Sequence, residues 1–325
     1  MLPNWNLTGH AWAVDLLRRH VANGEARHAY LFAGPPGVGR RSLALRFAQA
    51  LNCTNPPAPG EFCGKCRECR QIEGMQHPDL AVVQAEAEGG VLKIDQVRSV
   101  QYSFSLKPYQ SRYRVALFLR FQEANQNAQN ALLKTLEEAP AYAVLCLTAD
   151  SPEQLLPTIV SRCEVLRLRP LPVEEVEQML LVCGADAERA RLLAHVSGGR
   201  AGYARDLLAN EGLLEVRGGR LHDLGELLKG TRLQKFAYAE KLAKDKDGMR
   251  SALLVWLSFW RDVLLKTSGA DTPLANVDQI PRIEMLAASL DLACARRIVA
   301  DLEAGIERLD ANVNPRLLAE VLLLD

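Results

Sequence analysis

The segment between residues 34 and 42, GPPGVGRRS, constrains the fold more than any other part of this chain. An apolar run, AYLFA at 29–33, precedes it, and a helix-like run, LALRFAQAL at 43–51, follows it. A buried strand, a glycine-rich loop and a helix N-terminus in this order form a phosphate-binding loop, because backbone N–H groups and the helix dipole converge there on an anion. The sequence therefore predicts a nucleotide-binding α/β fold.

The loop has the glycine spacing of a Walker A motif but lacks its catalytic side chains. Gly34 and Gly39 have the required spacing, and Gly37 lies between them. Lys and then Ser or Thr should follow, but Arg40 and Arg41 stand there. A bulkier guanidinium thus replaces the lysine point charge, and the hydroxyl that binds magnesium is missing. The candidate cofactor-binding residues of this degenerate loop are Gly34, Gly37, Gly39, Arg40 and Arg41. ATP binding at this site is in doubt.

The acidic motif of a P-loop ATPase is also missing. The apolar run RVALFL at 114–119 is typical of a buried parallel strand. In an ATPase this strand ends in Asp-Glu, which hold magnesium and polarise water. Here the two positions are Leu119 and Arg120, and Glu123 is interpreted as a solvated surface residue. The sequence therefore predicts that the chain has no intrinsic catalysis.

Four of the eight cysteines are clustered: Cys53, Cys63, Cys66 and Cys69, with the spacing C-x9-C-x2-C-x2-C. Four thiolates at these separations can surround one zinc ion tetrahedrally. The site is interpreted as structural, because four thiolates leave no open coordination position, and His77 is interpreted as an ordinary loop residue. The alternative is a group of unconnected free thiols. Such clustering favours a metal site in a reducing cytosol over disulfides.

Apolar strands alternate with helices up to about residue 168, which predicts a parallel α/β sheet. In the first helix Trp12, Leu16 and Leu17 share a face, and Asn125 or Asn127 is the candidate cap of a later one. Three helix-like patterns then predict a small three-helix domain, and the rest of the chain has only helical patterns. The predicted domains are a core at 1–168, a three-helix domain at 169–209 and a helical domain at 210–325.

Composition excludes some functions. Lys and Arg together number 39, as do Asp and Glu, so no overall basic field is available to hold nucleic acid. No apolar run has the length of a membrane span, and the first residues lack the basic and apolar segments of a signal peptide. We therefore expect a cytoplasmic protein with no membrane partner. Trp256 and Trp260 are interpreted as core residues rather than a platform for bases.

Four features in chain order resemble the clamp-loader family of AAA+ proteins. They are the glycine loop, the four-cysteine insertion, the box NALLKTLEEAP at 130–140 and the triplet Ser161-Arg162-Cys163. The resemblance implies an AAA+ P-loop domain, a three-helix lid and a helical collar through which subunits oligomerise. In this family five subunits form an open ring that loads the sliding clamp onto primed DNA for the DNA polymerase III holoenzyme. The implied partners are gamma/tau-type ATPase subunits and a delta-type subunit.

The resemblance also implies a role for Arg162. In the family this arginine is a finger that enters the ATP site of the adjacent subunit, so Ser161, Arg162 and Cys163 are the candidate catalytic residues, acting in trans. A planar, permanently charged guanidinium suits a transition state with charge on the γ-phosphoryl oxygens. Gly202 occupies the position where a lid arginine is expected. The implied role is a rigid stator that does not hydrolyse ATP.

Three alternatives stay open from the sequence. Arg162 could form only a surface ion pair. Arg40 could substitute for the loop lysine in an active P-loop ATPase. The cysteine cluster could belong to a zinc-dependent DNA-binding regulator, although zero net charge and a single cysteine module argue against it.

Overall fold

The computed structural model describes residues 3–86, 89–311 and 313–324. The chain divides into two compact units, one made of Met1–Val176 with Arg200–Tyr203 and the other of Glu177–Gly199 with Ala204–Asp325. In the described part of the chain, no helix is both long and apolar enough to cross a membrane.

A parallel sheet forms the centre of the first unit. Within the described ranges it has five strands in the order β2-β3-β4-β1-β5, all paired in parallel. The predicted parallel α/β sheet is therefore confirmed. The strands are β1 (Ala29–Ala33), β2 (Leu80–Val83), β3 (Arg114–Phe118), β4 (Ala143–Ala149) and β5 (Glu164–Arg167).

Helices cover both faces of this sheet. Strand β1 is buried along its whole length: Tyr30 and Phe32 face one apolar cluster, and Leu31 and Ala33 face the other. This alternation follows from the two-residue period of a strand. The first cluster includes residues of helices α1 (Ala11–Ala22), α2 (Arg40–Asn52) and α3 (Arg67–Glu73), and the second includes α4 (Ile94–Ser105), α5 (Gln126–Glu137) and α6 (Pro157–Val160).

Two details of these helices were open at the level of sequence. Asn125 caps α5, because its side chain accepts a hydrogen bond from the backbone N–H of Ala128 over 2.8 Å. In α1, Leu17 is fully buried and Trp12 is 51% exposed, so the face predicted for Trp12, Leu16 and Leu17 is buried only in part. Ala13 and Val14 take the inward positions instead.

Helices make up the rest of the chain. The three helices predicted within residues 169–209 are present, as are helices throughout residues 210–325 where the structure describes them. In the second unit Trp256 and Trp260 lie in an apolar core, 2% and 5% exposed, which confirms their interpretation as core residues. The helices are α7 (Val173–Val182), α8 (Ala187–Ser197), α9 (Ala201–Ala209), α10 (Gly212–Lys229), α11 (Arg232–Leu242), α12 (Lys246–Thr267), α13 (Ile280–Ser289), α14 (Leu292–Asp310) and α15 (Pro315–Leu324).

A buried carboxylate fixes the loop that leads into β3. Asp79 is 1% exposed and accepts hydrogen bonds from the backbone N–H groups of Tyr109, Gln110 and Ser111 over 2.7–3.0 Å. The guanidinium of Arg114 also donates to it, over 3.1 Å. The carboxylate therefore ties the start of β2 to the start of β3.

Replacing Asp79 with asparagine is expected to lower the free energy of unfolding by about 3 kcal/mol. The amide NH₂ group would face N–H groups that now donate to the carboxylate, and the buried Arg114 would lose its counter-charge. Urea denaturation at pH 7 measures this change. Asp95→Asn is the control, since this carboxylate is 82% exposed and 3.5 Å from Arg98, and we expect a change below about 0.5 kcal/mol.

The same variant has a predicted pH dependence. Burial raises the pKa of Asp79, but the backbone N–H donors and Arg114 outweigh it and hold the pKa below its usual value. The stabilisation is therefore present above the unfolded-state pKa of about 3.9 and is lost as pH falls through the folded-state pKa. The stability difference between the original chain and Asp79→Asn should shrink below about pH 4. A difference that stays constant on acidification contradicts this account.

Candidate functional site

The phosphate loop connects β1 to α2 through three glycines with positive φ angles. Gly34, Gly37 and Gly39 have φ angles of 152°, 80° and 111°, a region that side chains disfavour. A Cβ atom on Gly34 would collide with the carbonyl oxygen of Leu168, and one on Gly37 would lie 2.8 Å from the Cβ of Tyr203. The predicted strand, loop and helix are therefore all present.

Arg40 is neutralised within its own chain. Its guanidinium donates to a carboxylate oxygen of Asp150 over 2.6 Å, and Arg40 is only 9% exposed. Asp150 directly follows β4, so it reaches the loop at the carboxyl edge of the sheet, where ligands of such sheets bind. The aspartate thus offers Arg40 the anionic partner that a nucleotide phosphate would otherwise supply. Arg41, at the hydroxyl position of the motif, is exposed.

Helix α9 begins against the same loop. The backbone N–H of Gly202 donates to the carbonyl of Gly37 over 2.8 Å. A Cβ atom at residue 202 would lie 2.7 Å from that oxygen, so glycine permits the close approach. The side chain of Tyr203 packs on Gly37, and the guanidinium of Arg200 lies 4.6 Å from the centre of its ring. The expected lid arginine is therefore replaced by a backbone contact with the phosphate loop.

An apolar residue and a cation stand at the two positions where a P-loop ATPase is expected to carry its acidic pair. Leu119 is 6% exposed and belongs to the same apolar cluster as Val38 of the phosphate loop. Arg120 donates from Nε to Glu123 over 2.8 Å. The side chain of Glu123 is only 10% exposed, so its interpretation as a solvated surface residue is wrong. The structure instead shows a carboxylate that is held by the neighbouring arginine.

Arg162 lies in the turn between α6 and β5, with its guanidinium partly exposed. One terminal nitrogen donates to the Thr158 carbonyl over 2.9 Å, and the other donates to Glu137 over 2.7 Å. The side chain of Arg162 is 37% exposed and that of Glu137 is 51% exposed. The ion pair considered from the sequence is thus present within the chain.

The residues on either side of Arg162 shape the turn. The Ser161 hydroxyl donates to the Thr158 carbonyl over 3.2 Å, and the Cys163 N–H donates to the Val160 carbonyl over 3.2 Å. The Cys163 side chain packs against the core, and burial raises the pKa of its thiol to about 12. A thiol with this pKa stays protonated at neutral pH and is a poor nucleophile. Ser161 and Cys163 therefore support the backbone that presents Arg162.

The structure brings the four predicted metal ligands together. The sulfur atoms of Cys53, Cys63, Cys66 and Cys69 all lie within 4.8 Å of one another, and those of Cys53 and Cys66 are 4.0 Å apart. Tetrahedral zinc with Zn–S bonds of about 2.3 Å places its sulfur ligands about 3.8 Å apart. The residues fit this arrangement, so the cluster could hold a metal ion such as zinc.

Backbone N–H groups favour the thiolate form of Cys63, whereas burial raises the pKa of Cys53 and Cys69. Lys65 and Cys66 donate to the sulfur of Cys63 over 3.4 and 3.2 Å, and Cys69 donates to the sulfur of Cys66 over 3.4 Å. Burial raises the pKa of Cys63, but the N–H groups of Lys65 and Cys66, together with hydrogen bonds to the neighbouring thiols of Cys53 and Cys66, outweigh it and lower the pKa to about 7. Because metal ions bind thiolates, this hydrogen bonding prepares a ligand.

His77 is not a member of the cysteine cluster. Its imidazole is buried and accepts from the backbone N–H of Asp79 over 3.0 Å, and its other nitrogen is near Gln110 and Ser111. Burial lowers its pKa. The interpretation as an ordinary loop residue is therefore incomplete, since His77 lies in a loop but is part of a buried polar network.

Two partners were missed by sequence reasoning. Asp150 holds Arg40, and Glu137 holds Arg162, over sequence separations of 110 and 25 residues. One feature of the sequence indicates that Asp150 lies near the phosphate loop: it follows an apolar strand, and parallel sheets bind ligands at the edge where their strands end. Glu137 lies within the box at 130–140, but its helical position alone could not reveal its partner.

Comparisons with known proteins agree with this geometry. A family model described as "DNA polymerase III, delta subunit" matches residues 9–172. A second model, described as "DNA polymerase III, delta subunit, C terminal", matches residues 214–325. The two matches cover the sheet-containing unit and most of the helical part of the chain.

Individual relatives carry the same name. DNA polymerase III subunit delta′ of Bacillus subtilis is 32% identical over 316 residues, which are 96% of this chain and 94% of that protein. The Pseudomonas aeruginosa protein of the same name is 35% identical, with 73% and 68% covered. DNA polymerase III subunit tau of Escherichia coli is 33% identical over 54% of this chain and 27% of its own length. The chain therefore belongs to the delta′ family of DNA polymerase III subunits.

Proposed function

We propose that this chain is a non-hydrolysing stator of the clamp loader and supplies Arg162 to the ATP site of a neighbouring subunit. The observation that carries the proposal is the pairing of Arg40 with Asp150, because the residue at the lysine position has its anionic partner in the same chain. Leu119, buried where a carboxylate should hold magnesium, supports it further. The chain keeps the scaffold of a nucleotide site without the groups that hydrolysis needs.

The proposed role of Arg162 is electrostatic. Its guanidinium is partly exposed and stands on a turn fixed by backbone hydrogen bonds. An arginine that reaches a triphosphate from another subunit neutralises charge on the γ-phosphoryl oxygens in the transition state. Similarity to the tau subunit supports gamma/tau-type ATPase subunits as the recipients. A delta-type subunit, the sliding clamp and primed DNA are the other proposed partners, in a cytoplasmic complex.

The division of labour along the chain follows from the same proposal. Residues 1–168 are the AAA+ core, residues 169–209 the lid, and residues 210–325 the collar that anchors the subunit in the ring. The cysteine cluster holds a structural zinc ion, since four thiolates complete a tetrahedral shell and leave no position for a substrate.

The isolated chain is expected to hydrolyse no ATP in the presence of magnesium, because Arg41 stands at the hydroxyl position of the loop, and Leu119 and Arg120 stand where an ATPase has its magnesium-binding carboxylates. Adding it to the gamma/tau-type and delta-type subunits should raise ATP turnover in the presence of the sliding clamp and primed DNA. A malachite-green or coupled assay measures both. Turnover by the lone chain at the rate of the ATPase subunits would overturn the proposal in favour of an active P-loop ATPase.

A further inference from the structure

Glu137 fixes the orientation of the guanidinium of Arg162. It is the last residue of α5, and its carboxylate accepts a hydrogen bond of 2.7 Å from one terminal nitrogen. The Thr158 carbonyl accepts one of 2.9 Å from the other nitrogen. Two acceptors on two different elements therefore determine the plane of the guanidinium.

These acceptors leave donors available for a ligand. A guanidinium has five N–H donors, and the bonds to Glu137 and Thr158 use one from each terminal nitrogen. Three N–H groups remain, including the one on Nε, on a side chain that is 37% exposed. Because the guanidinium is planar, fixing two of its N–H groups also fixes the directions of the other three. Such a fixed set of donors suits the recognition of phosphoryl oxygens.

Both elements that carry the acceptors are anchored in the core. Leu136 precedes Glu137 and is 2% exposed, and Ile159 follows Thr158 and is fully buried. The turn itself is closed by bonds from the Arg162 N–H to the Ile159 carbonyl and from the Ser161 N–H to the Pro157 carbonyl. The backbone that carries both residues is therefore already ordered before the ion pair forms. Forming the pair costs less conformational entropy than it would on two mobile segments.

We propose that Glu137 is a positioning residue for Arg162: its carboxylate holds the guanidinium in the orientation that meets the triphosphate of the neighbouring subunit. This inference rests on the proposed function of Arg162 and adds the residue through which the finger is aimed. Orientation matters because a displacement of about 1 Å in a reacting geometry can cost up to about 10²-fold in rate. The Thr158 carbonyl continues to hold the other nitrogen when Glu137 is changed, so only part of that loss is expected.

The test uses the assembled clamp loader with Glu137→Ala or Glu137→Gln in this subunit. We expect kcat for ATP to fall about fivefold with alanine and KM for ATP to stay unchanged, because the finger acts in the transition state. Glutamine keeps an acceptor oxygen and should restore most of the rate. Glu138→Gln, which changes an adjacent exposed carboxylate, is the matched control and should leave kcat unchanged.

A second comparison separates positioning from a general structural effect. In a subunit that already carries Arg162→Ala, the further change Glu137→Ala should have no additional effect on kcat, since the group that it positions is gone. Unchanged or increased turnover with Glu137→Ala alone overturns the inference, as does an equal loss in both backgrounds. If Arg162→Ala itself leaves turnover unchanged, it is the proposed function that fails.

Discussion

Replacing Arg162 with alanine is expected to lower ATP hydrolysis at the neighbouring subunit's site by about 10³-fold, the lower end of the range for arginine fingers. The reason is electrostatic, because a permanently charged guanidinium compensates charge that develops on the γ-phosphoryl oxygens. The measurement is single-turnover hydrolysis by the assembled clamp loader with its clamp and primed DNA. Clamp loading should slow with it.

The fold and assembly of the variant should be intact. The side chains of Arg162 and Glu137 are 37% and 51% exposed, and ion pairs of this kind contribute at most about 1 kcal/mol to stability. Arg162→Lys keeps the charge but loses the planar fork, so an intermediate rate is expected. Arg167→Ala is the matched control, since this arginine is 60% exposed and pairs with Glu153. Normal hydrolysis with Arg162→Ala would remove the finger from the proposed function.

The sheet could be predicted from the sequence because its strands are buried on both faces. Parallel strands of this kind appear as continuous apolar runs, and the run at 114–119 differs from β3 (Arg114–Phe118) by one residue. The glycine loop and the cysteine spacing were equally informative, because each depends on local geometry. The sulfur atoms of the four cysteines do converge.

Contacts between distant parts of the chain could not be predicted. Arg40 and Asp150 are 110 residues apart, and no local period relates them. The interpretation of Glu123 is wrong for a similar reason, because its carboxylate accepts hydrogen bonds from the Gly89 N–H, which is 34 residues away, and from Arg120. The depth of burial along a shared helical face could not be predicted either, since Trp12 is exposed while Ala13, Val14 and Leu17 fill the inward positions of α1.

If the cysteine cluster holds the proposed zinc ion, removing one thiol is expected to release that ion and to disorder the residues around it. Cys66 is the informative position, because its sulfur caps α3 by accepting from the Cys69 N–H and lies 4.0 Å from that of Cys53. The ligands join the end of α2 to the start of α3, so the ion would tie these helices together. Cys66→Ala should therefore release about one equivalent of zinc, the content of a four-thiolate site.

The stability effect should be large because the cluster borders the core. Cys69 and Phe62 are 0% and 1% exposed, and the Phe62 ring packs edge-on against Trp5 at 6.1 Å. Structural zinc contributes about 10–16 kcal/mol to the folding of zinc-finger peptides. A larger domain retains part of its packing without the ion, so we expect the unfolding midpoint to fall by about 10 °C.

The control for this variant is Cys183→Ala, which removes an exposed thiol outside the cluster and should change neither zinc content nor midpoint. Metal analysis of reduced protein measures the zinc content, and thermal unfolding measures the midpoint. The near-ultraviolet circular dichroism signal of the aromatic residues measures the order around the cluster. A chelator that strips the ion from the original chain should reproduce the result of Cys66→Ala. If reduced protein contains no stoichiometric zinc, or if Cys66→Ala unfolds at the original midpoint, the cluster is a group of free thiols, because a bound ion that ties α2 to α3 cannot be lost without cost.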